Sequence, residues 1–330
     1  MKKLKIIAEI GSVHDGSLGN AIKLIELARE CGAHAVKFQT HIPEHESLKN
    51  APSPTYFNNE SRFNYFKRTA FQLKEWKILR DVCIQNQVEL VSSPFSHQAV
   101  DLLMNVGLET LKIASGEVSN VPLLEYIAGL DVKVILSSGM SDWTELDRAF
   151  EIFSDKSKLT VMQCSSMYPC NDFNVGINII QEFSNRYQCE YGFSDHTMTT
   201  AASIGAVCFG ATVIEKHITF SRKMYGSDAP NAMEPSEFGY FCSELNRIQN
   251  ILNSPVDKND LHQYQNMREV FQKSIVAAMD LSPQTTLGLN CFKFKKPGTG
   301  IPAAEYKRLM GRKLIRSVKK DQMLKEDDLL

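Results

Sequence analysis

Side chains capable of chemistry recur within or at the end of eight apolar, β-branched-rich runs of this 330-residue chain. The first run, Ile6–Ile10, contains Glu9, and the last run, Ala211–Ile218, contains Glu215 and His217. Glutamate and histidine can transfer protons, histidine can also bind a metal ion, and lysine or serine can hold an anionic substrate. The other six runs are Ala33–Gln39 with Lys37, Val88–Phe95 with Ser93, Leu108–Ser115 with Lys112 and Ser115, Val132–Ser138 with Ser137, Leu159–Ser166, and Glu190–His196 with Ser194 and His196.

Two histidines end the seventh and eighth runs. Neighbouring strands lie ~4.8 Å apart, so His196 and His217 are expected side by side. Two such imidazoles can hold one divalent metal ion, and the spacing alone favours this reading and a pair of ordinary polar histidines about equally. Asp195 directly precedes His196, and Glu215 lies two residues before His217, so both carboxylates are candidates for orienting the histidines.

Two lysines end the second and fourth runs. Lys37 and Lys112, surrounded by hydroxyl groups, suit a ligand that carries both a phosphate and a carboxylate. We therefore expect an anion site rather than two solvated lysines, while a Schiff base on one lysine, as in barrel aldolases, is the alternative. The hydroxyl groups belong to Ser93, Ser115, Ser137 and Ser194.

Carboxylates and loop residues complete the candidate site. Glu9 and Glu117 follow the first and fourth strands and are candidate acid–base groups. Tyr168, in CSSMYP, and Asp228, in YGSDAPNAMEP, are expected in loops above strands six and eight. They can bind the hydroxyl groups of a polyol or simply cap their loops.

Amphipathic helical patterns follow most of the apolar runs. In Ala21–Cys31 the apolar residues recur at i, i+3, i+4 and i+7. Eight such βα units in about 250 residues predict an α/β fold, the (β/α)₈ TIM barrel, in which the active site forms where the strands end. A long polar stretch, 41–72, separates strands two and three and is expected to be functional or to contain an extra element. The other predicted helices are Leu73–Val82, Ala99–Val106, Val121–Leu130, Glu145–Phe153, Asn178–Phe183, Thr199–Phe209 and Pro235–Leu252.

The barrel pattern stops near Leu252. We predict a catalytic barrel domain at 1–254, a linker at 255–271 that includes a short helix, and a small domain at 272–330. The last segment contains short strand-like runs and a Pro-Gly-Thr-Gly turn at 297–300. About 60 residues is near the lower limit for a domain that folds alone.

Composition narrows the class of protein. The chain is 43% hydrophobic and 23% charged, with a formal net charge of −1, so neither a nucleic acid nor a membrane is an expected partner. No apolar run approaches the ~18 residues of a membrane span, and the N-terminal one is too short for a signal peptide. Eight cysteines without a CxxC pair are expected to be buried thiols rather than a disulfide framework. We expect a cytoplasmic enzyme.

Nine motifs occur in order along nearly the whole chain: EIGSVHDGS (9–17), KFQTH (37–41), SSPFS (92–96), LKIASGE (111–117), LSSGM (136–140), CSSMYP (164–169), GFSDHT (192–197), IEKHIT (214–219) and KKPGTGI (295–301). Together they resemble the sialic acid synthase family. Those enzymes make nonulosonic acids such as N-acetylneuraminate, legionaminate and pseudaminate.

The resemblance implies a fold and a reaction. The fold is a (β/α)₈ TIM barrel followed by a small antifreeze-like (SAF) domain, which reaches over the partner's active site in a domain-swapped homodimer. The reaction condenses phosphoenolpyruvate with an N-acylated hexosamine, N-acetylmannosamine or a 2,4-diacetamido relative, and releases phosphate. It also implies a divalent metal, Mn²⁺ or Mg²⁺, on His196 and His217.

The resemblance also implies roles for individual residues. Glu9, Glu117 and His217 would be catalytic, and Gln39, Tyr168 and Asp228 would hold the sugar. Ser166 and Lys296 would also contact substrate. Phosphoenolpyruvate would be held by Lys37, Ser93, Lys112, Ser115, Ser137 and Ser194.

Three positions depart from the family pattern. Val13 replaces an Asn before His14, Ser166 replaces an Asn found in some neuraminate synthases, and Lys296 replaces the Arg of a KRPG motif. Lysine keeps the charge of arginine but loses its planar fork. These changes leave the acceptor open, and with it a sialic, legionaminic or pseudaminic type of product. A Schiff-base pyruvate aldolase is the alternative enzyme, while a non-catalytic sugar-binding protein would not need both histidines, both lysines and both glutamates.

Overall fold

A closed barrel of eight parallel strands forms the larger part of the protein. The structure, a computed structural model, describes residues 3–53 and 60–330. The strands follow one another around the barrel in chain order, from β1 to β8, and β8 pairs again with β1. They are β1 (Lys5–Gly11), β2 (Ala35–Thr40), β3 (Glu89–Pro94), β4 (Thr110–Ile113), β5 (Lys133–Ser137), β6 (Leu159–Cys164), β7 (Glu190–Asp195) and β8 (Val213–His217).

Helices surround the barrel, as the alternating pattern predicts. Local sequence explains several of their ends: the Ser17 hydroxyl accepts a hydrogen bond from the Asn20 amide at the start of the first helix, and Asp142 and Glu145 form a capping box. The helices are α1 (Leu18–Glu30), α2 (Pro43–Glu46), α3 (Arg62–Thr69), α4 (Leu73–Gln85), α5 (His97–Val106), α6 (Val121–Ala128), α7 (Trp143–Ile152), α8 (Asn178–Arg186), α9 (Ala201–Cys208) and α10 (Pro235–Leu252).

The polar stretch between β2 and β3 contains extra elements, which confirms the expectation for residues 41–72. It carries α2 and α3, while residues 54–59 lie outside the described part of the chain. On α3, Tyr65 and Phe66 are buried. This connection therefore contributes side chains to the protein interior.

The barrel interior is layered. Side chains two residues apart on a strand share a face, so every second residue points inward. One inward layer is apolar and consists of Ile7, Ala35, Val91, Ile135, Met162 and Val213. The residues two positions further along the same strands form a polar ring: Glu9, Lys37, Ser93, Ser137, Cys164 and Glu215. The alternation thus places an apolar plug beneath a ring of reactive groups.

The opposite faces of the strands pack against the helices. Ile6, Ile10, Val36 and Phe38, which alternate with the inward residues of β1 and β2, are fully buried in this outer core. Such burial contributes about 1.5–3 kcal/mol for each large apolar side chain. This packing fixes the strands and therefore the polar ring.

The chain divides into two compact units, Met1–Ser254 and Pro255–Leu330. The second unit contains α11 (Gln265–Phe271), the antiparallel strands β9 (Ser274–Ala277) and β10 (Phe292–Lys295), and α12 (Tyr306–Leu309). Its own small core includes Ile275, Leu309, Leu314 and Leu324. The domain limits 1–254, 255–271 and 272–330 stay a prediction.

Two further expectations meet the structure here. All eight cysteines lie in the described part of the chain and carry free thiols, five of them buried. Within residues 3–53 and 60–330, no helix is long and apolar enough to span a membrane.

Candidate active site

A cavity of about 180 Å³ opens where the barrel strands end. It brings together twelve of the residues predicted for the site, contributed by all eight strands or the loops that follow them. They are Glu9, Lys37, Gln39, Ser93, Lys112, Ser115, Ser137, Tyr168, Ser194, His196, His217 and Asp228. Ser12, Phe66, Phe95, Ala114, Cys164, Glu215, Ser227 and Asn231 also line it.

The two lysines meet a carboxylate that the sequence had placed beside the histidines. Lys112 Nζ lies 2.9 Å from Glu215 Oε2, and Lys37 Nζ lies 3.7 Å from Glu215 Oε1. The Ser194 hydroxyl donates to the same carboxylate at 3.0 Å. Burial acts to raise the pKa of Glu215, but Lys112 and Lys37 lower it to about 2. The site therefore holds two ammonium groups around one ionised carboxylate.

The pKa of Glu9 is shifted in the opposite direction from that of Glu215. Lys37 Nζ lies 2.8 Å from Glu9 Oε2, and Gln39 Nε2 donates to Glu9 Oε1 at 3.0 Å. Burial nevertheless raises the pKa of Glu9, helped by the charge of Glu215 and opposed by Lys37. One cavity thus contains a carboxylate that stays ionised and another that takes up a proton more readily, a pairing typical of acid–base sites.

The histidine pair is assembled as predicted. The ring centroids of His196 and His217 are 5.7 Å apart, and His196 Nδ1 donates to the Ser165 carbonyl oxygen at 2.7 Å. That bond fixes the proton on Nδ1 and leaves Nε2 for another partner. Burial lowers the pKa of His217 to about 4, so its ring is neutral at pH 7.

These two imidazoles fit a metal ion as part of its ligand set. His217 Nδ1 is buried and has no hydrogen-bond partner in the described part of the chain. Buried polar atoms are normally paired, so this nitrogen is available to bind a metal ion. Within residues 3–53 and 60–330, no group of three or more His, Cys, Asp or Glu side chains forms a complete metal-binding set. Water or substrate oxygens would have to supply the remaining positions, as in catalytic metal sites.

Comparison with known proteins gives this site its context. The family model described as the NeuB family matches residues 24–257, and the SAF domain model matches residues 272–330. The chain belongs to the NeuB family. It is therefore an enzyme of the phosphoenolpyruvate-dependent nonulosonic acid synthases, built as a TIM barrel with a small C-terminal SAF domain.

Relatives extend along the full chain. The N,N'-diacetyllegionaminic acid synthase of Campylobacter jejuni is 33% identical, with 99% of this chain and 100% of the relative covered. The human N-acetylneuraminate-9-phosphate synthase is 28% identical, with 98% and 91% covered. The crystal structure of the N-acetylneuraminic acid synthetase of Leptospira borgpetersenii in complex with citrate has a TM-score of 0.72 at 31% identity, with 81% of this chain and 92% of that chain covered.

Three predicted residues of this NeuB-family chain lie apart from the cavity lining. Glu117 sits in the turn after β4, where its carboxylate accepts a hydrogen bond from Asn120 Nδ2 at 2.7 Å, and burial raises its pKa. Ser166 lines an adjacent cavity, and its buried hydroxyl has no hydrogen-bond partner among the described residues. Lys296 belongs to the second compact unit, where Nζ lies 4.9 Å from the Phe271 ring centroid. Their roles stay predictions.

Sequence reasoning missed the central position of Glu215. Glu215 and His217 are two residues apart on β8, so the strand period places both on the inward face, and this signal was present in the sequence. The same period sends Asp195 to the opposite face from Ser194 and His196. There Asp195 Oδ1 lies 3.1 Å from Lys216 Nζ and is buried between β7, β8 and α9. Glu215 instead contacts Lys112 and Ser194. The prediction that Asp195 and Glu215 orient the histidines is therefore wrong for both carboxylates.

Proposed function

We propose that this protein condenses phosphoenolpyruvate with an open-chain N-acylated hexosamine and releases phosphate, giving a nonulosonic acid. The observation that carries the proposal is the shared cavity, which is lined both by Lys37 and Lys112 and by the imidazoles of His196 and His217. The lysines suit an anion, and the imidazoles, with a metal ion, suit an aldehyde oxygen. Membership of the NeuB family and the named relatives support the same reaction.

The lysine side would hold phosphoenolpyruvate. Its phosphate and carboxylate would take charge-assisted hydrogen bonds from Lys37 and Lys112, with hydroxyl donors around them. Fixing the enol next to the acceptor supplies the proximity that a two-substrate reaction needs. The hydroxyl groups come from Ser93, Ser115, Ser137 and Ser194.

The residues can follow the charges of the reaction. Carbon 3 of phosphoenolpyruvate forms a bond to the aldehyde carbon, whose oxygen takes up a proton, and carbon 2 becomes electron-poor. Glu215, which stays ionised, lies between the lysines and would stabilise that positive charge. Water adds to carbon 2 and loses one proton; phosphate then leaves with the C–O bond electrons and takes up the second proton of that water, which gives the keto acid. Glu9, whose pKa is raised, is placed to exchange one of these protons.

A divalent metal, Mn²⁺ or Mg²⁺, held by His196 and His217 would polarise the aldehyde oxygen. The role of the two histidines is then to present neutral nitrogen ligands on one wall of the cavity. The Tyr168 ring lies close to that of His196, with centroids 4.2 Å apart and the planes tilted by 45°, and would limit where the sugar can lie.

The acceptor we favour is a 2,4-diacetamido hexose. Ser166 departs from some neuraminate synthases and Lys296 from the usual family motif, and the relative at 33% identity is an N,N'-diacetyllegionaminic acid synthase. In this proposal Glu117, Ser166 and Lys296 act on the acceptor or the water, with Lys296 supplied by a partner subunit in a domain-swapped homodimer.

The test is phosphate release from phosphoenolpyruvate with a panel of 2-acetamido and 2,4-diacetamido hexoses. We expect release only when both substrates are present, with the highest turnover on a diacetamido sugar. Absence of release with every sugar of the panel, with metal supplied, would reject the synthase. Trapping of a lysine by borohydride in the presence of pyruvate would instead identify the Schiff-base aldolase.

A further inference from the structure

Two residues proposed for the sugar flank one tight turn of the backbone. Gly11 has φ +53, and a Cβ atom there would lie 2.4 Å from Asp228 Oδ2 and 3.4 Å from Gln39 Nε2. A side chain at position 11 would therefore displace the Asp228 carboxylate, and the positive φ favours glycine as well. Gln39 and Asp228 therefore lie on the same side of the cavity, and the carboxylate of Asp228 suits sugar hydroxyl groups rather than the anionic phosphoenolpyruvate.

The orientation of Gln39 is set by a histidine outside the cavity lining. Gln39 Nε2 donates to Glu9, so its amide oxygen must face the other way, and it accepts from His41 Nε2 at 3.2 Å. His41 Nδ1 in turn lies 2.8 Å from Glu46 Oε1. A hydrogen-bonded series thus runs from Glu46 through His41 and Gln39 to Glu9.

Aromatic rings hold His41 in place. Its ring is stacked between Phe66, at a centroid distance of 3.5 Å, and Phe95, at 4.2 Å, with interplanar angles of 15° and 11°. The side chains of His41 and Glu46 are only 5% and 4% exposed. The imidazole therefore has one available position, and through it the Gln39 amide has one orientation.

Hydrogen bonds also hold Asp228 in place, and they lead back to helix α3 through Ser12. Asp228 Oδ2 accepts from the Ser12 amide and from the Ser12 hydroxyl, both at 2.9 Å, and the Tyr65 hydroxyl donates to Ser12 Oγ at 3.0 Å. Tyr65 is the residue next to Phe66 on α3. Two neighbouring residues of α3 therefore act on the two groups proposed for the sugar. Phe66 reaches Gln39 through His41, and Tyr65 reaches Asp228 through Ser12.

We propose that His41 and Tyr65 are positioning residues for the acceptor sugar: His41 acts through Gln39, and Tyr65 acts through Ser12 and Asp228. This inference rests on the proposed function. Helix α3, from the connection between β2 and β3, is then the element that aligns the acceptor subsite. The lysines are also paired with Glu215, and the series from His41 reaches them only through Glu9, which pairs with Lys37.

The experiment compares His41→Phe and Tyr65→Phe with the full-length wild-type enzyme. Each variant keeps its aromatic ring and removes only the polar atoms. We expect kcat/KM for the acceptor to fall about 10- to 100-fold in His41→Phe, which leaves buried groups unpaired, and about tenfold in Tyr65→Phe. KM for phosphoenolpyruvate should change by less than about threefold. An equal rise in KM for both substrates would overturn the proposal.

A double-mutant cycle tests whether His41 acts through Gln39. In a Gln39→Ala background, His41→Phe should cause almost no further loss for the acceptor, whereas a fully additive loss would contradict the mechanism. His34→Phe is the matched control, because it breaks a part-buried hydrogen bond with the Ile6 amide just before the start of β2, the strand that carries Gln39. It should leave both KM values unchanged.

Two other results are distinguishable. A wild-type enzyme that releases no phosphate with any acceptor of the panel refutes the proposed function before variants are compared. An active wild type with unchanged acceptor kinetics in both variants refutes the positioning roles alone. If His41→Phe does not fold, Tyr65→Phe, which loses a single hydroxyl, still tests the proposal. Unchanged kcat/KM for the acceptor in that variant would refute a positioning role for α3.

Discussion

Lys112 on β4 and Glu215 on β8 form an ion pair across the barrel, with 2.9 Å between Nζ and Oε2, although their strands are on opposite sides. Both side chains are buried. A buried pair of this kind costs desolvation free energy, which its own attraction offsets only in part. Its presence at the centre of the cavity therefore indicates a functional arrangement of charge.

Replacing Glu215 by Gln should destabilise the protein in a pH-dependent manner. The pKa of Glu215 is about 2 in the folded protein, below its ordinary value of 4.5, so its contribution to stability is present above pH 4.5 and is lost as the pH falls towards 2. Leaving two buried lysines without this partner should cost about 3 kcal/mol at pH 7. Urea unfolding of both proteins at pH 7, 5 and 3 measures this difference.

The difference in unfolding free energy should shrink at pH 3. Glu26→Gln, an exposed change on α1, is the control and should have little effect at any of these pH values. A Glu215→Gln penalty that stays constant from pH 7 to pH 3 would show that the carboxylate charge is not what stabilises the lysines.

Lys37→Ala and Lys112→Ala should each weaken phosphoenolpyruvate binding about 10- to 100-fold. Loss of a charge-assisted hydrogen bond in a buried site costs about 1.5–3 kcal/mol, which corresponds to that change in affinity. Calorimetric titration with phosphoenolpyruvate measures it. Lys5→Ala removes a lysine that pairs with Glu89 at the opposite end of the barrel and should bind normally. Unchanged affinity in both cavity variants would exclude the anion site.

The barrel and most of its cavity are predictable from the sequence because each depends on local period. Every predicted strand and barrel helix overlaps an observed one, and the inward residues follow from the two-residue repeat that places Ile7 below Glu9 and Val213 below Glu215. The error at Asp195 came from treating a sequence neighbour of His196 as a spatial neighbour, whereas Glu215 shares the inward face with His217. On a strand, the next residue but one is the true companion.

The positions of His41 and Tyr65 could not be predicted in the same way. They depend on how the connection between β2 and β3 folds back, which stacks Phe66 on His41 and sends the Tyr65 hydroxyl to Ser12. No short-range period encodes such packing. The position of Glu117 has a local cause instead, since the short turn Ser115–Glu117 after β4 places its carboxylate beside Asn120.

Removal of divalent metal should abolish phosphate release, and Mn²⁺ or Mg²⁺ should restore it. The reason is the buried Nδ1 of His217, which has no hydrogen-bond partner among the described residues and lies beside His196. Direct Mn²⁺ binding, followed by electron paramagnetic resonance, should weaken at least about tenfold in His217→Ala and stay normal in His34→Ala. Full turnover in excess chelator after dialysis would exclude the Lewis-acid role.

Glu9→Gln and Glu117→Gln should lower kcat far more than they change KM for either substrate. Each replacement keeps the shape of the side chain and removes its charge, so it should act on the transition state. Steady-state kinetics with both substrates measures the split. Because Glu9 lines the cavity and Glu117 lies in the turn beside it, we expect the larger loss for Glu9→Gln. Near-normal turnover in both variants would show that neither carboxylate takes part.

Lys296→Arg should change the choice of acceptor. Lys296 follows β10 in the second compact unit, and the family pattern has arginine at this position. A guanidinium group offers two parallel donors to an acyl oxygen where an ammonium group offers a point charge. We therefore expect the variant to shift towards N-acetylmannosamine at the expense of a 2,4-diacetamido sugar. The measurement is the ratio of kcat/KM for the two acceptors, with Lys293→Arg on β10 as the matched control. An identical ratio in wild type and Lys296→Arg would mean that position 296 does not read the acceptor, and specificity would then have to come from Ser166, Tyr168 and the 41–72 connection.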